Sequence, residues 1–169
     1  MKTQLLNNLL PKETNKKIIN ILTLHHWYIA VDYNNMTKAE KIFSNKNSGF
    51  SLTTFGEGKV IVDSFLNIYG ELIFDIIIDK LNVKAKLERI FWNMYFKENQ
   101  ADLHTDKTDS NFVSAVYNLH TTDGGTEIDG KFYNDLEGQA KIFDSNVLHR
   151  GIPPKQDNVR FNLNLIFKI

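Results

Sequence analysis

Cysteine is absent from the 169 residues, and that one absence excludes disulfides, thiolate metal sites and cysteine nucleophiles together. Any metal held by this chain must be bound through nitrogen and oxygen. Net charge is absent too, because 20 Lys and Arg balance 20 Asp and Glu. No run of like charge creates a local field, which argues against a nucleic-acid partner. There is no apolar run long enough to span a membrane. The N-terminal leucines Leu5, Leu6, Leu9 and Leu10 are interrupted by asparagines and followed by Lys16 and Lys17, unlike a signal peptide. These absences predict a soluble, cytoplasmic protein with no membrane partner. The length suits one domain over 1–169, without internal repeats or low-complexity segments.

The first half carries helix signals. Pro11 suits a first helical turn, Glu13 favours its positive end, and Ile18, Ile21, Leu22 and His25 recur at helical spacing, predicting a helix over 11–24. Residues 27–31 are aromatic and β-branched and read as a strand. Thr37 is placed to cap a short helix over 37–43. A strand is predicted over 50–55 between loops at 45–49 and 56–58, and the stretch 45–58 is a candidate lid. Asp63 or Ser64 caps the longest helix, with Phe65, Tyr69, Leu72, Ile73, Ile76 and Ile77 on one broad apolar face.

From Leu87 the pattern changes from helical to alternating. Ile90, Trp92, Met94 and Phe96 face one way, with Phe91, Asn93 and Tyr95 facing the other. Further strands are predicted over 101–104, 112–119, 126–129, 131–133, 139–143, 147–151 and 159–168, with turns at Asp123-Gly124-Gly125, Asp129-Gly130, Glu137-Gly138 and Pro153-Pro154. Helices followed by about eight short strands predict a mainly β protein, a double-sheet jelly roll with helices packed behind one sheet. Residues 1–86 form its helical and edge-strand support and 87–169 its core.

The last strand repeats the alternation of the first, with Phe161, Leu163, Leu165 and Phe167 on one face and Arg160, Asn162 and Asn164 on the other. If both apolar faces rest on the helices, Asn93, Tyr95, Arg160 and Asn162 point into the barrel. That interior is polar and cationic and suits an anionic guest.

His104 and Asp106 are separated by one residue, which on extended chain returns both side chains to the same side. His149 must join them from a strand adjacent in space. Two imidazoles and one carboxylate can occupy one face of Fe(II) and leave the other positions open, as oxygen-activating non-haem iron sites require. A lone His-x-Asp is common by chance, so the ordered set carries the argument.

That set gives the segment 89–169 its likeness. It resembles the double-stranded β-helix (cupin-like) core of the Fe(II)- and 2-oxoglutarate-dependent dioxygenases, nearest to the prolyl 4-hydroxylase-like branch. The residues concerned are Tyr95, nine positions before His104; Asp106; Gly124-Gly125; Phe143; His149; and Arg160, eleven positions after His149. The resemblance implies that His104, Asp106 and His149 are the catalytic Fe(II) ligands and that Arg160 pairs with the distal carboxylate of 2-oxoglutarate. Tyr95 would donate a hydrogen bond to the same carboxylate, and Asn162 stands where a hydroxyl residue is frequent. Dioxygen would be the remaining co-substrate, with decarboxylation to succinate coupled to hydroxylation of a C–H bond. Besides Asn162, two further departures are Glu98, where a glycine is frequent, and Arg160, where prolyl 4-hydroxylases carry lysine. The arginine weakens the inference of a proline substrate, leaving a peptidyl residue or a small molecule.

A non-catalytic cupin-like metal-binding or sensor module would explain the fold and the ligands but not an inward arginine. His120 beside a turn, and His25 and His26 at a helix end, read as structural or solvated. Lys107, Asp109 and Asn111 read as a solvated pocket rim, while Tyr117 and Asn118 face the pocket or not according to register.

Overall fold

The computed structural model describes residues 2–29, 49–62, 64–99, 101–157 and 159–169. Two helices, α1 (Lys12–Leu24) and α2 (Phe65–Leu81), accompany eleven strands among these residues. The strands are β1 (Gln4–Leu6), β2 (Tyr28–Ile29), β3 (Phe50–Gly56), β4 (Lys59–Val60), β5 (Lys86–Tyr95), β6 (Phe112–Asn118), β7 (Thr122–Ile128), β8 (Lys131–Asp135), β9 (Ala140–Asp144), β10 (His149–Ile152) and β11 (Arg160–Lys168). The large sheet runs β1-β9-β6-β11-β5-β3-β2 with β4 on β3, and the small one runs β10-β7-β8. All their pairings are antiparallel. Two facing antiparallel sheets backed by helices make this a mainly β jelly roll, as predicted. No described helix is long and apolar enough to cross a membrane.

The helices cover one face of the large sheet because both partners present apolar residues at matching periods. Ile18 and Leu22 of α1, and Leu66, Ile73, Phe74 and Ile77 of α2, share one buried cluster with Ile90, Trp92, Tyr117, Phe161, Leu163, Leu165 and Phe167. Burial of each such side chain contributes about 1.5–3 kcal/mol. Polar anchors fix α1 further. Tyr117 donates its hydroxyl to Asn15 Oδ1 at 2.7 Å, and Trp27 Nε1 donates to the Leu22 carbonyl at 2.9 Å. The alternation of β5 and β11 then turns the opposite set inward. Arg160 pairs with Tyr95 and Asn162 with Asn93 in register.

Several expectations need correction. The apolar face of α2 is rotated from the one read in the sequence, since Phe65 and Leu72 are exposed and Leu66, Gly70, Ile73, Phe74 and Ile77 are buried. This helix is apolar nearly all round, so periodicity could not choose its stripe. Gly70 chooses it, because a Cβ there would meet Ile90 Cγ2 at 2.6 Å and its absence lets the helix approach β5. Ser64 is the N-cap of α2 without a side-chain cap bond, while Asp63 and the predicted helix over 37–43 lie outside the described residues.

The Asp123-Gly124-Gly125 turn is instead the bulged start of β7, whose pairing with β8 slips between Thr122 and Gly125. Its glycines answer to crowding, since a Cβ on Gly125 would stand 2.5 Å from the Phe132 ring and from the Tyr133 carbonyl. The strand predicted over 101–104 shrinks to a single bridge at His104. In the candidate lid, residues 50–56 form β3, hydrogen-bonded to β5 inside the large sheet, and residues 45–48 lie outside the described residues. β1 and β4 had no counterpart in the sequence reading.

Candidate metal and co-substrate site

His104 and His149 meet through their backbones. Each donates its N–H to the other's carbonyl, at 3.0 and 2.9 Å, so the two imidazoles stand side by side with ring centroids 4.4 Å apart. Asp106 N and Lys107 N both donate to the Ser145 carbonyl, at 2.9 and 3.2 Å, stitching the loop after His104 to the turn before β10. One ligand atom from each of His104, Asp106 and His149 then lies within 4.8 Å of the others. Among the described residues this is the one such group of His, Asp and Glu.

The hydrogen bonds around the group set its chemistry. His149 Nδ1 contacts the Val147 carbonyl and His104 Nδ1 the Asp102 carbonyl, both at 2.9 Å. A carbonyl only accepts, so both Nδ1 atoms carry a proton, and in the neutral tautomer each Nε2 keeps a lone pair. The His149 Nε2 is buried with no hydrogen-bond partner among the described residues, and stands 3.4 Å from Asp106 Oδ2. A buried lone pair left unmatched beside a carboxylate is what a cation between them would satisfy.

Asp106 is held from three sides. Arg89 Nη2 donates to Oδ1 at 2.9 Å, and Ser114 Oγ and Asn164 Nδ2 donate to Oδ2 at 2.6 and 3.4 Å. Burial works against the Asp106 charge. Contact with His149, the Arg89 guanidinium and the Ser114 hydroxyl outweighs it and holds the carboxyl well below the usual carboxylate range. The site therefore presents two imidazoles and one committed anion.

Deeper in the barrel Arg160 is completely buried. Its Nε donates to Asp135 Oδ2 and its Nη2 to Asp135 Oδ1 at 3.2 Å and Thr126 Oγ1 at 3.1 Å. Tyr95 lies against it, ring centroid 5.1 Å from the guanidinium carbon. Burial raises the Tyr95 hydroxyl pKa against the pull of Arg160, so the hydroxyl stays protonated and able to donate. A guanidinium only donates, so Asn162 must turn its amide oxygen toward Arg160, where it accepts from Nη1 at 2.7 Å. Asp135 also accepts from Lys141 Nζ at 2.8 Å. Burial opposes the Asp135 charge, but Arg160 and Lys141 hold its pKa down to about 2. The fork of Arg160 expected to face a co-substrate is thus engaged by a protein carboxylate, and Nη1 is the nitrogen that no carboxylate among the described residues occupies.

No protein-family model and no curated protein matches the sequence. Solved structures do match in shape. A Pseudomonas putida prolyl-4-hydroxylase superposes with TM-score 0.65 over 99% of this chain and 92% of its own, at 16% identity. The epimerase SnoN from nogalamycin biosynthesis, in complex with Fe3+, alpha ketoglutarate and nogalamycin RO, does so with TM-score 0.70 over 98% and 78%, at 8% identity. The viral collagen prolyl hydroxylase of Paramecium Bursaria Chlorella virus-1 gives 0.65 over 100% and 90%, at 12% identity. The fold is that of the 2-oxoglutarate-Fe(II) oxygenases. The double-stranded β-helix read from residues 89–169 and the prolyl-hydroxylase-like architecture stand on these likenesses.

Within that fold the structure brings His104, Asp106 and His149 together at one end of the barrel and Tyr95, Arg160 and Asn162 together in its interior. His120 lies elsewhere, its Nε2 accepting from Phe161 N at 3.0 Å. Sequence reasoning missed Arg89, Ser114 and Asn164 around Asp106, and the Asp135–Lys141 pair beneath Arg160. Lys141 did leave a signal, as a lysine set among the apolar Ala140, Ile142 and Phe143. Asp135 left none, because it closes a polar hairpin where acids are ordinary.

Proposed function

We propose that this chain is an Fe(II)- and 2-oxoglutarate-dependent oxygenase, a hydroxylase of a peptidyl residue or of a small molecule. The observation that carries this reading is the convergence of one ligand atom from each of His104, His149 and Asp106 within 4.8 Å, with both Nδ1 atoms hydrogen-bonded to carbonyls. The donor set fits ferrous iron, which prefers two imidazoles and a carboxylate with open positions left for its partners.

When bound, iron with 2-oxoglutarate would supply activation of dioxygen, with release of succinate and carbon dioxide and insertion of one oxygen atom into a C–H bond. The chain's own part is placement and exclusion of water. Val147 and Asp102 fix the imidazole tautomers, and Arg89, Ser114 and Asn164 fix the carboxylate. Arg160, with Tyr95 and Asn162, would receive the distal carboxylate of the co-substrate. Arg160 remains permanently charged there, and Asp135 holds its orientation.

The test is succinate formation from 2-oxoglutarate by the purified chain, screened with peptides and amino acids. Turnover should require both Fe(II) and dioxygen and be abolished by His149→Ala. Arg160→Gln should lose 2-oxoglutarate affinity and keep the metal, whereas a non-catalytic metal-binding module would be indifferent to it.

A further inference from the structure

The barrel floor holds two buried cations and one anion. Lys141 and Arg160 are 0% exposed and Asp135 1%. Among the described residues Asp135 is the one carboxylate ion-paired with either cation. One carboxylate cannot neutralise both, so the cluster carries a surplus positive charge out of reach of water. A buried surplus of this kind is expensive unless a further anion joins it.

A second, independent observation lies on the neighbouring strand. Asn118 is 0% exposed, and neither its amide oxygen nor its amide nitrogen has a hydrogen-bond partner among the described residues. Its register places it at the same floor. Asn118 pairs directly with Asn162, the amide that faces Arg160, and Lys141 pairs with Val116, two residues away on the same face of β6. Such orphaned amides are uncommon in buried positions and call for a partner. A carboxylate would accept from the Asn118 Nδ2 and offset the extra charge at once.

We propose that Lys141 and Asn118 are specificity-determining residues for the co-substrate, receiving with Arg160 its distal carboxylate. The inference rests on the oxygenase reading and deepens it. Asp135 then acts as a fixed counter-anion that keeps two cations together and leaves the charge of one carboxylate to be supplied. The competing explanation is that Lys141 merely balances Asp135.

Lys141→Met separates these, because it leaves Asp135 and Arg160 as a neutral pair and the barrel buried as before. The full-length chain with Fe(II), without oxygen, is titrated with 2-oxoglutarate and with 2-oxobutanoate, which has the same keto-acid head and no distal carboxylate. Wild type should prefer 2-oxoglutarate strongly. Lys141→Met should weaken 2-oxoglutarate at least tenfold and leave 2-oxobutanoate and Fe(II) binding within about twofold. Lys141→Arg, which keeps the charge, should recover most of the preference. Asn118→Leu, which removes the orphaned amide without opening a cavity, should weaken 2-oxoglutarate several-fold. An unchanged ratio of the two ligands in both Lys141→Met and Asn118→Leu overturns the inference and spares the oxygenase reading. A wild type that binds neither ligand overturns both.

Discussion

His104 and His149 exchange both backbone hydrogen bonds, at 3.0 and 2.9 Å, in an antiparallel bridge that extends no further along either segment. A single bridge between a loop and the first residue of β10 fixes two side chains that are distant in sequence, before any metal arrives. Metal binding should therefore leave the far-UV circular dichroism of the chain unchanged. It should still stabilise the fold by mass action, by about 2.7 kcal/mol at a free metal concentration a hundredfold above Kd. For a chain of this size that corresponds to a rise in Tm of roughly 5–10 °C. Thermal melts with and without Fe(II) under anaerobic conditions check this, and His149→Ala should remove the rise.

Gly151 sits where Tyr95 and Arg160 meet β10. A Cβ there would stand 2.9 Å from the Tyr95 hydroxyl and 3.1 Å from Arg160 Nη1. Gly151→Ala should displace both and weaken 2-oxoglutarate binding about tenfold, with metal affinity retained. Isothermal titration of each ligand against the variant measures the two effects separately.

Gly70 inverts an ordinary rule. Alanine is favoured over glycine in a helix interior by about 1 kcal/mol, but here the new Cβ would lie 2.6 Å from Ile90 Cγ2. Overpacking of that kind costs about 1–3 kcal/mol, so Gly70→Ala should be neutral to destabilising in urea unfolding. Combined with Ile90→Ala, which removes the Cγ2 that the new methyl would meet, it should cost less than the sum of the two single changes, giving a favourable coupling in the double-mutant cycle.

Asp135 makes the fold sensitive to acid. Its pKa is held at about 2 in the folded chain against an ordinary 3.8. The charged form is thus favoured by folding, so the stabilisation is present above pH 4 and is lost as pH falls toward 2. The contribution is on the order of 2 kcal/mol, and Asp106 shifts in the same direction. Urea midpoints measured at pH 6 and pH 3 should fall steeply for wild type. Asp135→Asn should be less stable at pH 6 and show a shallower fall.

What could be read in the sequence follows from the range of the interaction that encodes it. The alternation of Phe161, Leu163, Leu165 and Phe167 against Arg160, Asn162 and Asn164 is local. It places the inward set correctly because only one register buries the phenylalanines under the helices. The convergence of His104, Asp106 and His149 was legible through their order and spacing. The bulge at Gly124 and Gly125 was not, because the Phe132 ring that forbids a side chain there belongs to another strand. Nor was the stripe of α2, whose orientation depends on one glycine meeting Ile90. The Asp135 pairing was hidden for a related reason. A carboxylate ending a hairpin looks solvated until β9 and β11 close over it with Lys141 and Arg160.

The most direct measurement is anaerobic titration of the chain with 2-oxoglutarate in the presence and absence of Fe(II), followed by the visible charge-transfer absorbance of the ternary complex. The geometry predicts saturable binding with iron, at least tenfold weaker binding without it, and loss of the absorbance in Asp106→Ala. Binding of 2-oxoglutarate that is absent, or that is indifferent to iron, would contradict the proposal that these side chains form an oxygenase centre.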